Sequence, residues 1–427
     1  MAFSHKRMSF HQGSGAITST EDRRTRAHLD IPLLIITYAL AIFGVYCIAI
    51  ATFNPDKGTD LSVLNYILNS SSASWQAIFC LVSPIILGFL VAIPYELLRI
   101  QGRLVYYGIV GLLILALFSQ AISGVTAWIP IGKGRTIQPA EFIKIGIILM
   151  MARSLSNTDK PFGTMRNAAY NLGIFLLPAG LTLLQGELGS VLVMCVIFYV
   201  MLYFADTEPW VLITILVLAV VGIGAILGYM MVSGSESYRL KRILSFLDPQ
   251  AYYNSAGYQI LNSQLAIGSG GKTGIGTFVV GSLSQLNYVP EDWTDFIFSA
   301  VGEAFGFVGC IGVIIAYLLL MLRMLYLAHF TMDRFGRLII VGVMAMFFAH
   351  VIENIGMTIG VLPITGIPLP FISYGGSNFV TNMAGIGLVL NVVKNRSSAT
   401  AINTPLMLRN QRGSWWRRGK HAKQSTL

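Results

Sequence analysis

Long apolar runs recur along the chain at nearly regular intervals. They fall at about 31–53, 76–94, 104–123, 139–155, 168–185, 188–205, 209–232, 296–322, 337–361 and 377–393. None alternates polar with apolar residues, as a membrane-spanning β-strand would. A helix needs about 20 apolar residues to cross a bilayer. The pattern therefore predicts an all-α polytopic membrane protein with about ten transmembrane helices. The run at 139–155 is unusual because Glu141 and Lys144 interrupt it. The longest polar interval, 233–295, separates the seventh run from the eighth and predicts a large extracellular loop.

Composition supports this reading. Of 427 residues, 55% are hydrophobic and only 11% charged, against about 25% charged in soluble domains. Mean hydropathy is +0.68. The net charge of +10 is expected to reflect topology, not nucleic-acid binding, because Lys and Arg mark the cytoplasmic side of membrane proteins. Most of the 29 basic residues fall in the tails and in alternate loops, which places both termini in the cytoplasm. Segments 54–75, 124–138, 233–295 and 362–376 then face outward. The chain divides into an N-terminal cytoplasmic tail (1–29), a transmembrane domain (30–395) and a basic cytoplasmic tail (396–427). The first apolar run reads as an uncleaved signal-anchor. Trp415-Trp416 and Arg417-Arg418 in the last tail suit contact with anionic membrane lipids. Cys47, Cys80, Cys195 and Cys310 sit in apolar runs without metal-site spacing, so they read as small buried side chains.

Cations placed against the topological bias point to an anionic ligand outside. Lys133, Arg135 and Lys144 are one such group; Arg239, Lys241, Arg242 and Lys272 are another. Asp295 has two readings: a helix N-cap, or a carboxylate able to take a proton from a sugar hydroxyl or hold a divalent cation, Mg or Mn. Glu291 and Asp292 beside it would raise its pKa. Glu303 lies eight residues further, about 12 Å along a helix, where it either fastens helices or faces a cavity. Glu141 and Lys144, at i and i+3, share a helical face and are read as lining an outward polar cavity. Trp128 is either an interfacial belt residue or a platform for a sugar ring. Glycines 268, 270, 271, 274, 276 and 281 could cradle phosphate. However, Ala266 stands where a P-loop needs glycine and Val279 where a dinucleotide fingerprint needs one, so no nucleotide is expected. His350, Glu353 and Asn354 are polar residues near the outer half of the ninth run; His350 has no second histidine at metal-ligand spacing and reads as a hydrogen-bonded helix contact. The Pro- and Gly-rich run 366–377 predicts an ordered outer or re-entrant loop.

Several motifs together resemble the SEDS family of bacterial cell-wall proteins (shape, elongation, division and sporulation), which includes RodA, FtsW and SpoVE. They are Trp128-Ile129 with Gln138-Pro139-Ala140-Glu141, Phe246-Leu247-Asp248-Pro249, Gly257-Tyr258-Gln259, Ala266 to Gly271, Pro290-Glu291 with Thr294-Asp295-Phe296-Ile297-Phe298, and Ser373-Tyr374-Gly375-Gly376-Ser377. The segment Ser284-Gln285-Leu286-Asn287 is similar to the RodA branch. The resemblance implies a peptidoglycan glycosyltransferase of the bacterial plasma membrane, polymerising lipid II on its outer face with a class B penicillin-binding protein as partner. Lipid II and undecaprenyl-pyrophosphate-linked glycan would be its substrates. It implies Asp295 as the essential acid, Trp128 as the family's tryptophan in the second outer loop, and Glu141 with Lys144 as the cavity-lining acid–lysine pair. Arg242, Lys272 and Lys144 would then stabilise the leaving pyrophosphate, and Glu303 would line the cavity. Other readings are a lipid II flippase, a non-catalytic scaffold for the penicillin-binding protein, or a polymerase of division or sporulation instead of elongation. The chain departs from the family at Gln185-Gly186-Glu187-Leu188-Gly189, at Glu303-Ala304 and at Ser377-Asn378.

Overall fold

A computed structural model describes residues 29–57, 62–119, 126–132, 135–232, 238–253 and 256–395. The tail readings at 1–28 and 396–427, and Lys133, lie outside these residues. Helices occupy all ten expected positions: α1 (Ile31–Ala51), α3 (Ser71–Ala92), α4 (Tyr95–Leu117), α5 (Pro139–Ser156), α6 (Met165–Gln185), α7 (Leu188–Phe204), α8 (Pro209–Val232), α11 (Ile297–His329), α12 (Arg334–Thr358) and α13 (Gly376–Asn395). Seven of these are long and apolar enough to cross a membrane; α7 and α8 supply shorter apolar segments, and α5 carries three charges. Three further helices are α2 (Val63–Asn69), α9 (Tyr238–Leu247) and α10 (Ala256–Ser269).

A helix with two charges buried in its length is among the most enclosed. Nearly every residue of α5 is buried, Glu141 and Lys144 included. It packs against α4, α7 and α12. In α12 and α13, 78% of the most apolar stretch is buried, against 17% in α3. Polar side chains in a membrane are cheapest where protein surrounds them, and Glu141 and Lys144 are surrounded in this way. Asp30 caps α1 by accepting from the Leu33 N–H at 3.0 Å and receives Arg323 at 3.0 and 2.6 Å, tying the start of α1 to α11.

Two boundaries differ from expectation. α4 begins at Tyr95, so Arg99 and Arg103 stand on its first turns instead of in a connecting loop. Long Arg stems can lie along a helix and still reach polar surroundings. The interval after α4 contains a hairpin, β1 (Ile129–Gly132) with β2 (Arg135–Ile137), antiparallel with Ile129 opposite Ile137. Strands this short carry too little alternation to stand out in a sequence. Arg135 of β2 lies over the Trp75 ring, 3.7 Å from its centroid.

The segment between α8 and α11 is no simple loop. α10 packs along α11, and the glycine-rich turn after it is joined to α11 where that helix breaks at Gly306 (φ 64°, ψ −161°). The break frees backbone groups, and the turn takes them up. Ile275 and Gly276 donate to the Glu303 and Ala304 carbonyls, while Phe307 and Val308 donate to the Gly271 and Lys272 carbonyls. This contact lies about 14 Å along α11 from its first residue. Backbone this deep is tolerated only when its polar groups are paired. The approach requires glycine: a Cβ at Gly270 would lie 1.9 Å from the Gly302 carbonyl oxygen. Gly270→Ala is expected to cost at least about 1–3 kcal/mol, read as a lower melting temperature and a smaller monodisperse peak in detergent chromatography.

Candidate functional site

Asp295 lies in a tight turn just before α11. Both Thr294 and Phe296 donate their N–H groups to the Glu291 carbonyl at 3.2 Å, and Glu291 has a positive φ of 60°. The helix N-cap is Phe296, with no side-chain cap bond. The capping reading of Asp295 is therefore corrected: the turn carries the chain past it, and its carboxyl is left for other contacts. Those contacts gather at Gly366 (φ 71°), where an added Cβ would sit 3.2 Å from Asp295 Oδ2 and 3.6 Å from Arg242 Nη1. Asp295 and Arg242 thus flank one bare stretch of backbone. Burial pushes the Asp295 carboxyl up to about 6, against the pull of Arg242 and with a further push from Glu291.

A chain of hydrogen bonds joins this point to the centre of the bundle. Asn354 Nδ2 donates to the Asp295 carbonyl at 2.7 Å and to the Ile367 carbonyl at 2.8 Å. His350, one turn earlier on α12, pairs Nδ1 with the Pro368 carbonyl at 3.2 Å and Nε2 with Lys144 Nζ at 2.9 Å. A carbonyl can only accept, so Nδ1 carries the proton and Nε2 accepts from the ammonium. Lys144 Nζ lies 2.7 Å from Glu141 Oε1, and Asn378 Nδ2 donates to Glu141 Oε2 at 2.9 Å. The 366–377 run threads between the two sites. Its Ser373 hydroxyl donates to the Thr294 carbonyl, and its Tyr374 N–H donates to the Trp293 carbonyl at 2.9 Å. Gln138, at the start of α5, donates its N–H to Ser377 Oγ at 3.2 Å and its side-chain amide to Glu187 Oε1 at 2.5 Å.

The structure therefore brings Asp295, Arg242, Glu141 and Lys144 into one connected set. It does not bring the other candidates there. Lys272 is exposed beside the Gly306 break, where its carbonyl accepts from Val308, roughly 20 Å of helix rise from Asp295. Glu303 is buried, and its carboxylate holds the loop below the turn: the Leu283 N–H donates at 2.6 Å, the Ser284 N–H at 3.0 Å and the Ser284 hydroxyl at 2.6 Å. Trp128 is partly buried in the extended run leading into β1. No hydrogen bond or ring contact among the described residues joins it to Asp295 or Glu141. His350 makes the helix contact expected of it, to Lys144 of α5, and Asn354 bonds two loop carbonyls; the sequence alone does not place either between Asp295 and Lys144. Their i, i+4 spacing within an apolar span was the available signal.

A resident metal at Asp295 does not fit these residues. Among the described residues no group of three or more His, Cys, Asp or Glu is arranged to hold an ion. The charged neighbour that flanks Asp295 at Gly366 is a guanidinium, which repels a cation.

Fold and site together define a polytopic helical membrane protein whose buried charges are joined to a carboxylate at one end of the bundle. The family model for cell cycle proteins of the FtsW, RodA and SpoVE type matches residues 32–398. The chain belongs to this family. It is 31% identical over 386 residues to the peptidoglycan glycosyltransferase MrdB of Escherichia coli K12, covering 89% of this chain and 98% of that protein. Its fold matches a chain in a peptidoglycan synthase complex that coordinates polymerization and crosslinking, with TM-score 0.70, 26% identity and coverage of 86% and 98%. The rod shape determining protein RodA of Thermus thermophilus matches with TM-score 0.62, 25% identity and coverage of 86% and 97%.

Proposed function

We infer that this protein is a peptidoglycan glycosyltransferase that polymerises lipid II into glycan strands for cell-wall elongation and cell shape. It would work in the bacterial plasma membrane with the Asp295 end facing outward and both termini in the cytoplasm. The observation that carries this reading is the pairing of a mostly buried carboxyl, Asp295, with the Arg242 guanidinium, joined through Asn354, the Pro-rich loop and His350 to Lys144 and Glu141. Asp295 takes the proton from the acceptor 4-hydroxyl. The oxygen attacks the anomeric carbon of the lipid-linked donor, a β-1,4 bond forms with inversion, and the bond to the lipid pyrophosphate breaks. Arg242 stabilises the charge that develops on the leaving pyrophosphate. Lys144 and Glu141 set the polar floor of the cavity, Trp128 offers an aromatic face above it, and a class B penicillin-binding protein receives the strand for crosslinking.

Purified protein incubated with lipid II in detergent tests this reading. Polymer formed with no membrane to cross marks an enzyme; binding without polymer overturns the reading in favour of transport or scaffolding. The pH dependence has a fixed sign. A base must be ionised, so the rate should climb as pH passes through about 6, where the Asp295 carboxyl gives up its proton, and level off above. A rate that is flat from pH 5 to 7 would remove Asp295 from the proton-transfer step.

A further inference from the structure

The mechanism leaves the buried acid Asp292 unused. Asp292 has no exposed surface, and neither carboxyl oxygen meets a hydrogen-bond donor. Its carboxyl faces Ser284, Glu303 and the backbone of Trp293, but no donor there reaches hydrogen-bond geometry, and the Ser284 hydroxyl gives its proton to Glu303 Oε2 at 2.6 Å. Two backbone N–H groups complete the shell of Glu303. One carboxylate is thus fully supported while its neighbour is unsupported, and burial and the two nearby glutamates push Asp292 well above the usual carboxylate range. Buried polar groups in native proteins are paired, so an orphan of this kind calls for an unseen partner. Ser284 and Glu303, with Ser282, Ala300 and others, line a cavity of about 10 Å³, near the minimum for one water-sized occupant.

We propose that Asp292, Glu303 and Ser284 form a binding site for a hard divalent cation of the Ca²⁺ or Mg²⁺ class. Two carboxylates balance a charge of two. Carboxylate and hydroxyl oxygens suit a hard cation that keeps some of its own water, and no nitrogen or sulfur ligand is offered. The cation fastens the 276–292 segment to α11, directly below the turn that positions Asp295. This site is separate from Asp295, where Arg242 stands, and it does not depend on the transferase reading.

The test uses the full-length protein, stripped with EDTA and titrated at constant ionic strength with CaCl₂, MgCl₂ or NaCl alone. Either divalent ion should raise the melting temperature in detergent by several degrees beyond the NaCl arm. Asp292→Asn should lose that response, and Asp295→Asn should keep it. Because Asp292→Asn could misfold, a second readout uses wild type. Tb³⁺ bound here should show emission sensitised by the adjacent Trp293, be displaced by Ca²⁺, and darken in Trp293→Phe. Absence of any ion-specific shift or displaceable Tb³⁺ emission in wild type overturns the site. So does a wild-type response in Asp292→Asn. Stability that rises on acidification without an ion response assigns the two acids a shared proton instead, and also overturns it.

Discussion

Asp295→Asn protein is expected to purify in the folded state and to make no detectable glycan from lipid II. Loss of a general base costs about 10²- to 10⁴-fold in rate, which takes polymerisation below a gel readout. The sign of the stability effect separates loss of chemistry from loss of fold. Asp295 titrates near 6 in the folded chain, above its ordinary value of 3.8. Between those values the folded state holds a proton that the unfolded state has released, so this group's contribution to stability is greatest in acid and declines as pH rises through about 6. At neutral pH the ionised carboxyl is a burden on the fold. The asparagine variant lacks that charge and should melt at or above the wild-type temperature, measured by scanning fluorimetry at pH 7.5. A variant that is inactive and also melts early would show that Asp295 holds the structure. A variant that polymerises robustly would end its assignment as base.

Lys144→Met is expected to give the second large effect, on stability. Lys144 and Glu141 are both buried and lie 2.7 Å apart. Removing one member of such a pair leaves the other as an uncompensated charge, at a cost of about 3–5 kcal/mol. The Met side chain fills the stem volume but offers Glu141 nothing, and His350 Nε2 loses its donor as well. Glu141→Gln combined with Lys144→Met should recover much of the loss, because two neutral groups of similar shape replace two charges. A double-mutant cycle by thermal unfolding measures the coupling. Additive effects would mean that the two charges are satisfied separately. The double variant should still polymerise poorly, because it breaks the link from Lys144 through His350 to the Pro-rich loop beside Asp295.

The helices were readable because membrane thickness imposes a length on apolar runs, and all ten expected positions hold helices. Even α5 could be placed, since charges two and five residues past Pro139 do not prevent a helix that its neighbours enclose. Pairing Glu141 with Lys144 needed only the i, i+3 rule. What the sequence concealed depends on contacts between distant segments. Asp295 looks like an N-cap until the Glu291 turn puts Phe296 in that role. The glycines after α10 resemble a phosphate nest, but their partner is the broken backbone of α11. Lys272 is carried away from Asp295 by that same contact. His350 and Asn354 look like ordinary helix contacts because the loop carbonyls that give them direction, at Pro368 and Ile367, come from a later segment.

The join at Gly306 also constrains the order in which the chain can mature. α10 and the 270–276 turn are synthesised before α11, yet the N–H groups of Ile275 and Gly276 and the carbonyls of Gly271 and Lys272 find their partners on the two sides of the Gly306 break. Until α11 arrives, that turn has no reason to leave water for the bilayer. Its descent must therefore follow the insertion of α11, after which each segment closes the other's open backbone. Asp295, which lies between them in the chain, reaches its place only when that late step is complete.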